Sequence, residues 1–220
     1  MANDAHVQIL LRRGVEEWNK FRRTNPTDVP DLSEADLTGY DFTQADFSYA
    51  NLSWANLSDA YLVRANFTEA NLTGANLTEA DLIEANLIKA TLTKAILIQA
   101  DFSNAGLIRA DVSHADLSQA NLSRTSLPWA NLTDSNLSNV KLIMADLREA
   151  ILHNTNLSGA NFQNASLTGT SFQGANLLNT SHLEMHLLGK AKTLFQAQLD
   201  PAVLDQVQQD HPGLLQAPNK

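Results

Sequence analysis

The chain has 220 residues and a formal net charge of -9, with no cysteine. Disulfide scaffolds, thiolate metal sites and cysteine nucleophiles are excluded, and a net-acidic chain is a poor general binder of nucleic acid. Leucine and alanine dominate the composition; both favour helix by propensity, so the order of the residues has to decide.

Met1-Ala2-Asn3-Asp4 shows neither the basic nor the apolar region of a secretory signal. No apolar run approaches the roughly 18–20 residues that span a bilayer. The expectation is a cytoplasmic protein without membrane contact. Residues 4–23 read as an amphipathic helix, with Val7, Leu10, Leu11, Val15, Trp18 and Phe21 on one stripe and Arg12, Arg13, Arg22 and Arg23 on the solvated face. Asn25-Pro26 ends it. Residues 1–27 are thus expected to form a capping helix and linker.

From Leu32 to Leu177 a large apolar residue recurs every fifth position: Leu in most repeats, Phe at 42, 47, 67, 102, 162 and 172, and Val112. Two positions earlier stands a small residue, mostly Ala; Pro30, Tyr40, Thr125, Ser135, Val140, Thr155 and Thr170 are the exceptions. A period of five cannot make a helix stripe, because five residues at about 100° each turn the apolar position by about 140° per repeat. Nor can it make a flat strand, since an odd period alternates faces. Within each repeat, Ala and Leu two apart can both point inward from a short extended piece. The remaining residues must then turn the chain, always in the same sense. Corners repeated in that way wind a solenoid.

These residues resemble the pentapeptide-repeat family, whose pattern is A-[DN]-L-x-x. The clean stretch Ala70-Asn71-Leu72-Thr73-Gly74, Ala75-Asn76-Leu77-Thr78-Glu79 carries the likeness, which covers residues 28–180. The resemblance implies an all-β solenoid, a right-handed quadrilateral β-helix with four repeats per turn and short helical caps at both ends. Seven and a half coils at about 4.8 Å each give a rod of roughly 36 Å. With four repeats per turn, Phe47 lies under Phe67, and Phe162 faces Phe172. Trp18-Asn19 before Asn25-Pro26 looks like the capping helix of cyanobacterial members.

After Leu177 the register breaks, with His182 where Leu is expected. Leu183 and Leu188 resume the spacing shifted by one, and Leu194 and Leu199, with Ala197, resume it after a further shift. Residues 181–220 are read as a loop around Gly189-Lys190, part of a last coil and a helical cap. Asp200 would cap that helix, Pro201 would open it, and Val203, Leu204 and Val207 would face inward.

No catalytic, cofactor or metal site is expected. His182-x3-His186 has metal-pair spacing but encloses Leu183-Glu184-Met185, unlike H-E-x-x-H, and lacks a third ligand nearby. Stacking would set Asp81 over Asp101, close enough for one carboxylate to be perturbed or for a cation to bridge. Neither base nor cleft accompanies them. A filled rod offers no concave pocket.

Surface features remain. Residues 31–86 hold ten acids, Asp31, Glu34, Asp36, Asp41, Asp46, Asp59, Glu69, Glu79, Asp81 and Glu84, against Arg64 alone. That end is a candidate patch for a basic partner. Just after the central Leu, where Ser or Thr is usual, stand Val63 and Ile83 in one column, Ile88 and Ile108 in the next, and Ile98 elsewhere. A contiguous apolar strip there would suit a partner. Trp54 and Trp129 fall at outward corners and are candidate hot spots.

The function these features suggest is a non-catalytic interaction scaffold for an unidentified protein partner, monomeric or a cap-mediated homodimer, without cofactors or direct nucleic-acid binding. Cyanobacterial members that the chain resembles include a regulator of heterocyst differentiation that works through protein contacts. The alternative is the gyrase-protecting branch, whose acidic rods mimic duplex DNA. Residues 87–180 carry no net charge, and residues 201–209 lack the aromatic residue of that branch's dimerising helix.

Overall fold

The computed structural model describes residues 3–217. Its helices are α1 (Asp4–Thr24), α2 (Met185–Leu188) and α3 (Pro201–Asp210), followed by a 3-10 turn at Pro212–Leu215. Between α1 and α2 the chain stacks on itself through single-residue parallel bridges, from Asp31 to Asn51 through Asn161 to Ser181, each joining a residue to its counterpart four repeats on. Each contact is one residue long, so among the described residues no strand forms. The odd period is the reason. Only three of every five residues can be extended before the next corner.

Every repeat turns the same way. The amide after each turn donates back to the central residue in most repeats, as from Ala70 to Phe67 at 3.0 Å. The second turn residue has positive φ in every repeat from Glu34 to Asn179, as a type II turn requires. Four such turns close a coil. Each coil then lends amides to the one above and receives one back: Leu52 donates up to Asn71 at 2.7 Å and Trp54 to Thr73 at 2.9 Å, while the Asn71 amide donates down to Ala50 at 2.9 Å. The central Leu and Phe side chains are fully buried, and the Ala positions beside them almost equally so. Phe47 stacks on Phe67 with ring centroids 5.2 Å apart, and Phe162 meets Phe172 edge-on at 6.3 Å.

The residue before each central Leu forms a second ladder outside the core. Its carboxylate or amide oxygen accepts the amide two residues on, for example Ser33 to Asp31 at 3.1 Å. An Asn there also donates Nδ2 to the residue one coil below: Asn51 to Asp31, Asn76 to Asn56, Asn131 to Asp111 and Asn136 to Asp116, at 3.0–3.2 Å. An amide needs an acceptor beneath it, whereas a carboxylate does not. The sequence obeys this asymmetry. All four ladders begin on aspartate, at Asp31, Asp36, Asp41 and Asp46, and restart on aspartate after an interruption: Asp81 over Tyr61, Asp111 over Thr91, Asp116 over Ile96, Asp146 over Ser126. Asparagine continues what aspartate starts. Asn161 over Lys141 and Asp101 over Asp81 depart from the pattern.

Asn76→Asp is therefore expected to destabilise by about 1 kcal/mol, because it removes one donor and opposes two acceptors. Asp116→Asn, which has only Ile96 beneath it, is expected to stay within about 0.5 kcal/mol. Thermal denaturation of the two variants checks the rule; equal losses would refute it.

Part of the lower end is closed by side chains that take the place of a missing coil. Trp18, fully buried, donates Nε1–H to the Asp46 carbonyl at 2.9 Å. Asn19 accepts from the Asp46 amide at 2.8 Å and donates to the Gln44 carbonyl at 2.9 Å. Arg22 departs from the expected solvated face: it is 6% exposed and donates to the Ser48 and Asp28 carbonyls at 2.7 and 2.8 Å. A guanidinium there supplies donors that backbone carbonyls at the end of a stack would otherwise lack. Gly14, at φ 78°, breaks α1 into two pieces. The first piece brings His6 Nδ1 within 3.1 Å of the Asp31 amide, and the second carries Trp18.

At the other end, α2 forms just before the expected Gly189 loop. It brings a short insertion, so the chain rejoins the stack with Thr193 over Ser171 and Gln198 over Asn176, where an unbroken register would have placed Ala191 and Gln196. Leu194 and Leu199 thus extend the core, while Leu183, Leu187 and Leu188 are buried in and beside α2 rather than in a coil. Asp200 precedes α3 but gives it no side-chain cap; its carboxylate accepts the Asn179 amide at 3.1 Å instead. Val207 is buried, with Val203 and Leu204 packed partly against the core.

Candidate interaction surface

The strip anticipated from Val63, Ile83, Ile88 and Ile108 is half-buried. Val63 lies one coil below Ile83 and Ile88 one coil below Ile108. Their neighbours along the stack cover much of each side chain, which is why none ranks with the exposed large apolar residues. The two tryptophans are a different case. Trp54 is 60% exposed and Trp129 55%, each on the left-handed turn residue of its repeat, at φ 61° and 58°. That conformation costs a side chain roughly 1 kcal/mol.

The Trp54 ring lies against the backbone of the coil above. Gly74 occupies the same corner one coil up, and a Cβ there would overlap the indole ring. Trp129 sits one coil above Arg109, whose guanidinium carbon lies 5.6 Å from the ring centroid, within cation–π range. The two indoles stand on different corners and more than three coils apart, so the structure does not bring them together.

Sequence reasoning passed over the tyrosines. Tyr40, Tyr49 and Tyr61 are all exposed, whereas no phenylalanine is. Tyr61 replaces the Asx of its ladder, as do the exposed Ile96 and Ile151. The available signal was each departure from Asp or Asn at that position. Met144 and Val29 complete the exposed apolar set.

The acidic residues do not form one field. Asp31, Asp36, Asp41 and Asp46 stand at the foot of four different ladders. Glu84 pairs with Arg64 at 2.7 Å and Glu69 with Lys89 at 2.8 Å, each across one coil. The Arg64 guanidinium holds the Glu84 carboxyl below its usual range. Asp59 and Glu79 share a corner and are exposed, as is Glu34. Asp81 and Asp101 are bridged neighbours; Asn121 Nδ2 donates to both Asp101 oxygens at 3.2 Å.

The side of the rod is not wholly convex. An open groove of about 670 Å³ runs between Gln99, Gln119 and Asn139 on one bank and Asp101, Asn121 and Lys141 on the other. Its lining holds no nucleophile–base pair. His153 Nε2 lies 2.7 Å from Ser171 Oγ on another column, with burial and then the Lys192 charge lowering its pKa. Among the described residues no three His, Cys, Asp or Glu side chains gather as a metal site. His182 is exposed, and His186 Nδ1 lies 3.1 Å from the Glu184 carboxylate. No helix among them is long and apolar enough to cross a membrane.

The family model for pentapeptide repeats matches eight copies within residues 31–179, and the chain belongs to that family. Among solved structures it is similar to HetL, a pentapeptide repeat protein involved in heterocyst differentiation regulation from the cyanobacterium Nostoc, at 26% identity over 81% of this chain and 92% of HetL, with a TM-score of 0.31. QnrB1, a plasmid-mediated fluoroquinolone resistance protein, gives 19% identity over 86% of this chain and 96% of its own, with a TM-score of 0.49. A pentapeptide repeat protein of the Arabidopsis thaliana thylakoid lumen gives 23% identity over 64% and 70%, with a TM-score of 0.37. Comparison with curated proteins gave no match.

Proposed function

We propose that the chain is a non-catalytic protein-interaction scaffold that acts in the cytoplasm through the side of a rigid rod. In this reading residues 28–180 wind as a right-handed quadrilateral β-helix, capped by residues 1–27 and 181–220, and the partner is a protein rather than nucleic acid or a membrane. The observation that carries it is the partition of the aromatic residues. All three tyrosines, Trp54 and Trp129 face solvent, while the phenylalanines are kept inside or half-covered. Amphipathic Tyr and Trp dominate interface hot spots, and placing indoles on left-handed corners has a conformational cost that a polar residue such as Asn would lessen. Val63 and Ile83, in the column of Tyr61, and Ile88 and Ile108, beside the corner that Trp129 occupies, extend this apolar character along the rod. The acidic set from Asp31 to Glu84 favours a partner with basic character.

Affinity capture from the native cell tests the reading. A Trp54→Ala/Trp129→Ala chain is expected to lose a partner that wild type retains, with Ile83→Glu/Ile88→Glu behaving likewise and all melting points comparable. Equal recovery on all three would sink the surface assignment. The second reading, a DNA-mimicking binder of gyrase or another nucleic-acid-binding protein, draws on the ten acids of residues 31–86. It needs negative charge along most of the rod, and Lys89 and Arg64 already pair with two of those acids. Inhibition of gyrase supercoiling at low micromolar protein would reverse the ranking.

A further inference from the structure

The lower end of the rod is only half capped. In each higher coil, the ladder residue of every repeat receives a donor at its carbonyl and an acceptor at its amide from the coil beneath, and the first turn residue receives a donor at its carbonyl. For the first coil, α1 and its cap residue Asn3 supply that set in full at the fourth ladder and in part at the first. At the fourth ladder the donors are Trp18 and Arg22 and the acceptor is Asn19, acting on Asp46 and Ser48. At the first ladder Asn3 donates to the Asp31 carbonyl at 2.9 Å and His6 accepts from the Asp31 amide. The second and third ladders receive nothing. The amides of Asp36 and Asp41 and the carbonyls of Asp36, Thr38, Asp41 and Thr43 have no partner among the described residues.

The gap is polar, not apolar. Leu37 and Phe42 beside it are buried, and Tyr40, in place of the usual Ala, stacks its ring on Phe42 at a centroid distance of 5.8 Å. The core is closed while the backbone edge stays open, with Asp36, Thr38, Gly39, Tyr40 and Asp41 exposed. An open edge is a template for another chain. A second copy meeting it by two-fold symmetry would line up four carboxylates along one seam, which disfavours self-pairing. Both acids are charged at neutral pH. The Thr38 hydroxyl and amide hold Asp36 below its ordinary range, and the Thr43 amide does the same for Asp41. The chain's own cap shows what suits such a position: Arg22 reaches the edge carbonyl of Ser48 with its Nε 3.9 Å from the Asp46 carboxylate.

We propose that the open edge from Asp36 to Thr43 docks a short extended, arginine- or lysine-bearing segment of a partner protein, laid parallel beneath the first coil. Its amides bond to the carbonyls of Asp36, Thr38, Asp41 and Thr43, its carbonyls accept from the amides of Asp36 and Asp41, and its cations sit beside the two carboxylates. This inference rests on the scaffold reading and specifies the chemistry of the partner.

The test uses the full chain and a synthetic peptide, acetyl-Arg-Ala-Asn-Leu-Thr-Arg-Ala-Asn-Leu-Thr-amide, followed by fluorescence anisotropy and by amide hydrogen exchange. Saturating peptide is expected to slow exchange at the Asp36 and Asp41 amides about tenfold. Asp36→Asn/Asp41→Asn is expected to weaken binding roughly tenfold, whereas Asp59→Asn/Glu79→Asn, the same charge loss on a side corner, changes it less than about twofold. A peptide N-methylated at its two Leu residues and its second Arg, the positions whose amides donate to the coil above in the rod itself, needs no protein variant and should not bind. Unchanged exchange at the two amides, equal weakening by both variants, or undiminished binding of the methylated peptide overturns the proposal. So does protection that rises with protein concentration alone, which would assign the edge to a second copy. None of these results touches the scaffold reading, whose test depends on Trp54 and Trp129 at other corners.

Discussion

Trp18→Ala is expected to lower the free energy of unfolding by about 3–5 kcal/mol. The indole is fully buried, 5.9 Å from Phe47 and 5.8 Å from Phe21 between ring centroids, and its N–H satisfies the Asp46 carbonyl. Removing it leaves a cavity under the first coil and an edge carbonyl without its donor. Trp18→Phe separates the two effects. It keeps most of the volume and is expected to cost only about 1–2 kcal/mol, for the lost hydrogen bond. Because each coil contacts only its neighbours, damage at an end should fray inward rather than melt the whole rod. Amide exchange in Trp18→Ala should therefore accelerate at Leu52 and Leu57 well before Leu152 and Leu157. Denaturant unfolding with a loss below about 1 kcal/mol, or uniform acceleration along the rod, would show that α1 is not a structural cap.

Leu107→Ala in the middle of the rod should cost a similar amount, about 2–5 kcal/mol, yet be distributed differently. Leu107 is fully buried, its amide donates to Ser126 at 2.7 Å, and coils press on it from both sides. A central defect cannot be shed by fraying, so exchange should speed up both toward Leu87 and toward Leu127. The equilibrium transition should broaden, because the two halves then unfold with less coupling. A sharp single transition with exchange raised on one side only would contradict this account.

Both predictions depend on features that differ in how openly the sequence carries them. The five-residue period is fully legible, since no helix or flat strand accommodates it, and the buried Leu, Phe and Ala positions follow. The structure then departs from simple expectation in identifiable places. Arg22 looked like one charge on a basic helix face, but the missing coil beneath Ser48 draws it inward. Asp200 precedes a helix as a cap residue should, but the Asn179 amide, orphaned at the top of its column, competes for the carboxylate and wins. Ile83 and Ile88 read as outward residues, but coils roughly 4.8 Å apart leave a branched side chain half covered by its neighbours. Tyr61 was passed over because a single tyrosine in a polar position has no periodicity to mark it.

Taken alone, the sequence determined the repeat, the register and the two breaks at Asn25-Pro26 and His182, because hydrophobic spacing and turn chemistry act over short stretches of chain. It also contained the alternation of Asp and Asn, but not the reason for it. That reason appears only when matching positions of successive coils become neighbours: an amide needs an acceptor beneath it, and a carboxylate can stand at the foot of the column. The half-open lower edge was likewise decided by tertiary structure. Which backbone groups α1 satisfies depends on where its two pieces lie across the first coil, and a hydrogen bond such as that from Trp18 to Asp46 has no signature in local order.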